Sequence, residues 1–407
     1  MVTRLPTQPE VLAIEEAHRA AQARLGIASA YLALRDWSGV SVSSTVSAGD
    51  AWLSRSLQMI RAINRKSMRL AKAYYQLSRA LETGYSLGVP ESSPDPKAVT
   101  MGGLRKQYLD LLLEVADLGK PGASSEIVSA DPDEKWLEEE LRQAQAGPAP
   151  TAKDENVPIH LDDTDLDPYI QDLLDATDTD LHKDTETVGV DEYDWDEPDL
   201  TLADIREAFA DELKAAADER AAKIKKIRED EELSAKQAFQ KADKLHQAAG
   251  VVNAGLVDQA GIDAGRDLIN LAASRDKRVM MWARGTGPNP CAFCSMLASR
   301  GFAYTSKARA MTTKGGGNQL SAFGDPSIKS YHPNCHCYPV LRWADIPDPT
   351  APGRNAHYEQ LWKDNMKGQT VPQRGTKNDT LNKWRRIIAA ERRAEMNALR
   401  ASIRSQA

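Results

Sequence analysis

Cysteine is scarce in this 407-residue chain, and its distribution is uneven: there are four, all between 291 and 337. A secreted disulfide scaffold is not expected, because such scaffolds are short and carry a leader. The opening residues, MVTRLPTQPEVLAIEEAHRA, show no apolar run followed by a small-residue cleavage site and do not read as a secretion signal. Uninterrupted apolar stretches are also missing. None approaches the roughly 18 residues of a spanning helix, so no membrane role is expected. Four thiols in so short a span, with nothing to oxidise them, point to a reducing compartment and a metal site.

Net charge is −7, and the mean conceals a segregation. Residues 131–200 hold 24 Asp and Glu against 4 Lys and Arg, leaving the remainder at +13. This is the pattern of a solvated acidic segment beside basic surfaces, and by itself it does not establish nucleic-acid binding. The spacing predicts three helices before that segment. The first is Ala- and Leu-rich and begins near Pro9. The second carries Leu53, Leu57, Ile60, Ile63, Tyr74, Leu77 and Leu81 at three- and four-residue intervals, with Gly84 as its stop. The third spans 101–118, with Leu104, Tyr108, Leu111, Leu112 and Val115 on one side. These stripes are expected to pack on one another rather than to carry catalysis.

Residues 121–200 read as an acidic flexible linker, within which DPYIQDLLDA could form a short helix or docking motif. The run lacks the D-x-D-x-D-G pattern of a calcium loop. A long helix follows from Thr201, with Leu202, Ile205, Phe209 and Leu213 as its stripe and Gly250 as its end. A further short helix is expected over 253–275. Between 276 and 343 the chain turns to loops and short strands, with KRVMMWAR, RGFAYT and CYPVLRW as candidates. The tail from 344 is Pro- and Gly-punctuated. It ends in a basic helix over 379–404, where Arg385, Arg386, Arg392, Arg393, Arg400 and Arg404 outnumber two Glu. The expected fold class is therefore α+β. Residues 1–120 form a helical docking domain, 121–200 the linker, 201–275 a helical lead-in, 276–343 a small stapled domain, and 344–407 the tail.

Chemistry concentrates in CAFC at 291–294 and CHC at 335–337, with His332 three residues ahead of the second pair. A C-x-x-C turn sets two thiolates on one side, as a tetrahedral ion with Zn–S near ~2.3 Å requires. A distant second pair then closes a loop of roughly 40 residues, which would staple a segment too loop-rich to hold itself. The donors read as Cys291, Cys294, Cys335 and Cys337, or as a set in which His332 replaces Cys335 or Cys337, because C-x-C is tighter than zinc usually meets. His336 is expected to point away. The other readings are two reduced structural pairs, a disulfide formed after cell lysis, or a redox motif, for which the βαβ surroundings are missing.

RVMMWAR, PCAFCSMLASRG and YHPNCHC together resemble the C-terminal part of phage Mu F-like minor head proteins. The matched positions are Cys291, Cys294, Gly301, His332, Pro333, Asn334, Cys335 and Cys337, with His336 standing where the family usually has Arg. The motifs cover roughly 276–343. The resemblance implies a fold distantly similar to ADP-ribosyltransferases. It also implies a minor capsid protein near the portal, acting in head assembly or DNA delivery in the virion and, during assembly, in the host cytoplasm. Portal and major capsid protein would be its partners, with structural zinc as cofactor and packaged DNA a further contact for the basic helix. Related genes are often labelled capsid maturation proteases. Ser295, His332 and Asp325 could be drawn into such a reading, but no G-x-S-x-G elbow is present. A transferase would need a Glu at the site, and 276–343 contains none. KGGGN at 314–318 lacks the ending of a nucleotide loop.

Overall fold

The computed structural model describes residues 8–40, 42, 49–118, 120, 132–146, 165–177, 185–195, 202–230, 232–287, 290–302, 335–343, 354–366 and 379–406. The protein is mainly helical with a few short strands, an α+β fold. The N-terminal helices are α1 (Gln8–Ser38), α2 (Gly49–Thr83) and α3 (Met101–Ala116). Gly84, at φ 73°, ends α2 by entering the left-handed region that side chains resist. All seven apolar positions of the α2 stripe are buried, as are Leu104, Tyr108, Leu112 and Val115 of α3.

The partner that fills these stripes comes from far along the chain. After α6 (Leu202–Arg228), α7 runs unbroken from Ala235 to Arg275 and lies against both α1 and α2. The expected stop at Gly250 does not occur. The chain instead breaks between Arg228 and Ala235, where Ser234 and Gln237 form a reciprocal capping box. Gly250 sits inside the helix because its missing side chain admits Trp37 of α1: a Cβ there would lie 2.4 Å from the indole Cδ1. The indole Nε1 then donates to the His246 carbonyl at 3.0 Å. That packing outweighs the ~1 kcal/mol a glycine costs a helix interior.

Gly261 faces Ile63, Gly265 faces Ser67, and Asp276 bonds Tyr75 and Arg79, so α2 and α7 run parallel in close register. At Gly265 an added Cβ would come within 2.6 Å of the Ser67 backbone carbonyl oxygen. Gly265→Ala is therefore expected to destabilise the fold by ~1–3 kcal/mol in urea unfolding, because the two backbones must separate. Helix propensity alone would favour alanine by about 1 kcal/mol. A stabilised variant would show that α7 is not seated so closely.

The acidic segment departs from the linker expectation over its described residues. It contains α4 (Pro132–Ala146), α5 (Asp167–Ala176) and β2 (Gly189–Asp191). Leu137, Leu141 and Ala144 of α4 and Ile170 and Leu173 of α5 are buried in the main core. Strand β2 pairs in parallel with β1 (Tyr85–Leu87), joining Tyr85 to Gly189 and Leu87 to Asp191. The acids did not prevent this because cations of α1 and α2 neutralise them. Asp133 pairs with Arg61 and Arg65, Glu134 with Lys66 and Arg69, and Glu140 with Arg35 and Arg55. The rest of the segment, including 147–164, lies outside the described residues.

Beyond α7, β3 (Met281–Gly285) pairs antiparallel with β4 (Tyr338–Arg342), with Met281 opposite Arg342 and Gly285 opposite Tyr338. Two of the three strand candidates are thus strands. Of RGFAYT, the first residues form the turn that closes α8 (Ala292–Ala298), with Gly301 at φ 55°, and the remainder lies outside the described residues. The strand pair is keyed into the helical body. Tyr338 Oη donates to the Glu15 carbonyl at 3.0 Å, Arg342 pairs with Glu15, and Trp343 Nε1 donates to Asp276 at 2.9 Å. The tail contains a helix not expected from its prolines and glycines, α9 (Arg354–Asn365), before the basic helix α10 (Asp379–Gln406). Among the described residues, no helix is long and apolar enough to cross a membrane.

Candidate metal centre

Pro290 leads into Cys291, which adopts an extended backbone (φ −62°, ψ 160°) and caps α8. Its Sγ accepts from the backbone N–H of Cys294 at 3.4 Å. The C-x-x-C spacing thus becomes one turn of helix, which aims the Cys294 thiol inward. The second pair arrives on the lead-in to β4, and β4 is held by its ladder with β3. The structure brings Cys294, Cys335 and Cys337 together, with their sulfur atoms all within 4.8 Å of one another. All three are buried, at 0%, 3% and 1% exposure, and they belong to the same apolar core as α1–α3.

The donor chemistry fits a thiophilic metal. Cys294 and Cys335 Sγ are 3.6 Å apart, far beyond a disulfide bond. A tetrahedral ion with Zn–S of ~2.3 Å needs sulfur–sulfur separations of about 3.8 Å. Hydrogen bonding to Cys291, Cys335 and Cys337 pushes the Cys294 thiol up from its ordinary range. The Cys294 and Cys337 hydrogen bonds, aided by the guanidinium groups of Arg266 and Arg284, hold Cys335 far below its own. Three buried sulfurs this close together, with Arg266 and Arg284 beside them, form a donor set suited to an ion bound through thiolates. Cys291 is half-buried one helical turn before Cys294, outside the group of three, with its Sγ 3.4 Å from the Cys294 backbone nitrogen.

Several groups around the cluster gave no sequence signal. Arg266 of α7 donates to the Cys335 carbonyl and pairs with Asp263 at 2.6 Å. Arg284 of β3, fully buried, directs Nη2 at Cys335 Sγ from 4.0 Å. Its backbone carbonyl accepts from Asn355 Nδ2 of α9 at 2.8 Å. Apart from the Arg266–Asp263 pair, these contacts join residues 51 to 71 apart in sequence, beyond any local pattern. His336 turns away from the thiols, as expected, and its Nε2 lies 3.0 Å from Asp258 Oδ2 of α7. That pair presses on α1 at Gly26, where a Cβ would meet Asp258 Oδ1 at 2.0 Å.

Of the remaining sequence candidates, His332, Asp325 and the 314–318 loop lie outside the described residues. Ser295 is fully buried inside α8. Its hydroxyl lies 3.2 Å from the carbonyl oxygens of Cys291 and Ala292 and accepts from Trp384 Nε1 at 3.0 Å. A hydroxyl so engaged faces no substrate.

A family described as VG15 protein matches residues 170–364, just under half of the chain. The matched stretch runs from α5 to the end of α9 and contains all four cysteines. This similarity, to a phage gene family, supports a phage-encoded protein. No curated protein and no solved structure matches the chain.

Proposed function

We propose that this chain is a structural minor head protein of a tailed phage, stapled by a zinc ion that performs no chemistry. The observation that carries the proposal is the burial of three clustered thiols in the main apolar core, beside a serine whose hydroxyl is fully engaged. Zinc held by four protein donors keeps no position for an activated water, the feature that separates structural from catalytic sites. A tetrathiolate zinc carries net charge −2, and Arg266 and Arg284 are placed to offset it. The Mu F-like motifs and the similarity to a phage family support the virion setting of this reading. Portal and major capsid protein are the proposed partners.

The test is composition. Purified virions should contain the chain in a few copies, retained with the portal when heads are disrupted. Absence from virions, with the chain found only in assembling heads, would favour the maturation-protease reading. For that reading Ser295→Ala is the specific check. Head-protein cleavage should proceed unchanged in the variant, and a block with zinc still bound would overturn the structural assignment.

The fourth donor is settled by a second substitution. Cys294, Cys335 and Cys337 lie together, which supports these three as donors and makes Cys291 and His332 the candidates for the fourth position. His332→Ala is expected to retain zinc at the wild-type stoichiometry by elemental analysis, with Cys291 as the fourth ligand. Loss of the metal would assign the position to His332.

Contact with DNA is proposed for the outer face of α10. Lys383, Arg385, Arg386 and Arg393 are exposed there, and none has a carboxylate partner among the described residues. Binding to duplex DNA should then weaken with salt, with a log–log slope of about 0.9 per phosphate contacted. A salt-independent affinity would remove this contact.

A further inference from the structure

Helix α8 has seven residues and two loaded faces. Cys294 faces the main core, and Phe293 packs against both it and the second cluster. Met296 and Ala298 face a separate apolar cluster built from Tyr358 and Met366 around α9 and Leu381, Trp384 and Ile388 of α10. Trp384 is completely buried there. The described bonds tying α9 and α10 to the rest of the protein gather around this one short helix. Trp384 bonds Ser295, Arg392 bonds the Pro290 carbonyl just ahead of α8, and Asn355 bonds the carbonyl of Arg284, itself over the Phe293 ring.

A seven-residue helix does not persist alone in water, where roughly 12 to 15 residues are marginal even for good helix formers. Anchors must therefore hold α8, and its first turn is anchored by sulfur. The Cys291 Sγ caps the Cys294 N–H, and Cys294 is tied across to Cys335. We propose that the cysteine cluster governs the docking of the C-terminal helices: metal-loaded, it holds α8 as the platform for α9 and α10, and when the metal is stripped α8 unravels and the pair is released. This rests on the metal reading above. Its consequence is that display of the basic helix is conditional on the state of the thiols, while the α1–α2–α7 body, held by its own packing, stays folded.

Linkage makes the coupling reciprocal, since whatever α8 gains from the metal the metal gains from docked α10. The experiment uses the full chain, loaded with zinc under reducing conditions. Zinc content and amide hydrogen exchange are followed before and after treatment with a chelator. Removing zinc should abolish protection across 380–394 and leave α2 and α7 protected. Trp384→Ala, with all four cysteines intact, should bind zinc ~10-fold more weakly in equilibrium competition with the chelator, within the range usual for coupled sites. Trp384→Phe, which keeps most of the buried ring, should restore the affinity and guards against general misfolding. Zinc removed with α10 still protected, or an affinity unchanged in Trp384→Ala, overturns the coupling and leaves the metal site standing. A chain that binds no zinc at all overturns both.

Discussion

Cys335→Ser is expected to release the bound zinc and to remove more stability than a change of any exposed side chain. Three effects act together. The substitution takes one sulfur from a cluster whose neighbouring thiol lies 3.6 Å away. It also takes away the sulfur toward which Arg284 Nη2 is directed inside the core. Finally, structural zinc in small domains is worth on the order of 10 kcal/mol, much of which depends on a complete donor set. The measurements are elemental zinc per chain and urea unfolding followed by circular dichroism. Wild-type zinc content with an unchanged midpoint would remove Cys335 from the site. Although Cys294 and Cys335 also line the main core, the loss should be concentrated in β3, α8 and β4, with α2 and α7 still folded.

The second large effect lies where α4 meets α2. Lys66 and Glu134 are each 2% exposed in their side chains, with Nζ and Oε2 3.1 Å apart, and Glu114 at 8% completes the group. Burial by itself would lower the Lys66 ammonium, but the carboxylates of Glu134 and Glu114 raise it above its ordinary range. Lys66→Met removes the cation and leaves the carboxylates in the core, with Arg69 still bridging Glu114 and Glu134. Breaking a buried pair from one side costs about 3–5 kcal/mol, whereas replacing both members with apolar groups is often neutral. The expected result is a loss of that size for Lys66→Met, with substantial recovery in Lys66→Met/Glu134→Leu. A single variant as stable as wild type would mean that α4 is not seated on α2 as described.

The same interface explains why the acidic segment misleads when read as sequence. Its residues are charged often enough to suggest a solvated linker, yet Leu137 and Leu141 repeat on one face and are fully buried. What neutralises Asp133, Glu134 and Glu140 is a set of arginines and a lysine 65 to 105 residues earlier. No local window contains both halves of that compensation. Gly250 misleads in the opposite direction. Locally it is a helix stop, and only the indole of Trp37, 213 positions away, makes the absence of a side chain an advantage.

The sequence by itself determined the amphipathic helices α2 and α3, the strands β3 and β4, the basic last helix and the two cysteine pairs. Each is a short-range pattern whose chemistry follows from spacing: apolar residues at three and four make a stripe, and C-x-x-C makes a turn with two sulfurs on one side. Tertiary structure alone decided that α7 fills the stripes of α1 and α2, and that the acidic segment supplies α4 and α5 to the core. It also decided that both Cys335 and Cys337 join Cys294, and that Arg266 and Arg284 stand beside them. Those outcomes depend on charge compensation, desolvation and steric fit between residues tens to hundreds of positions apart, and such energies exist only once the chain has closed on itself.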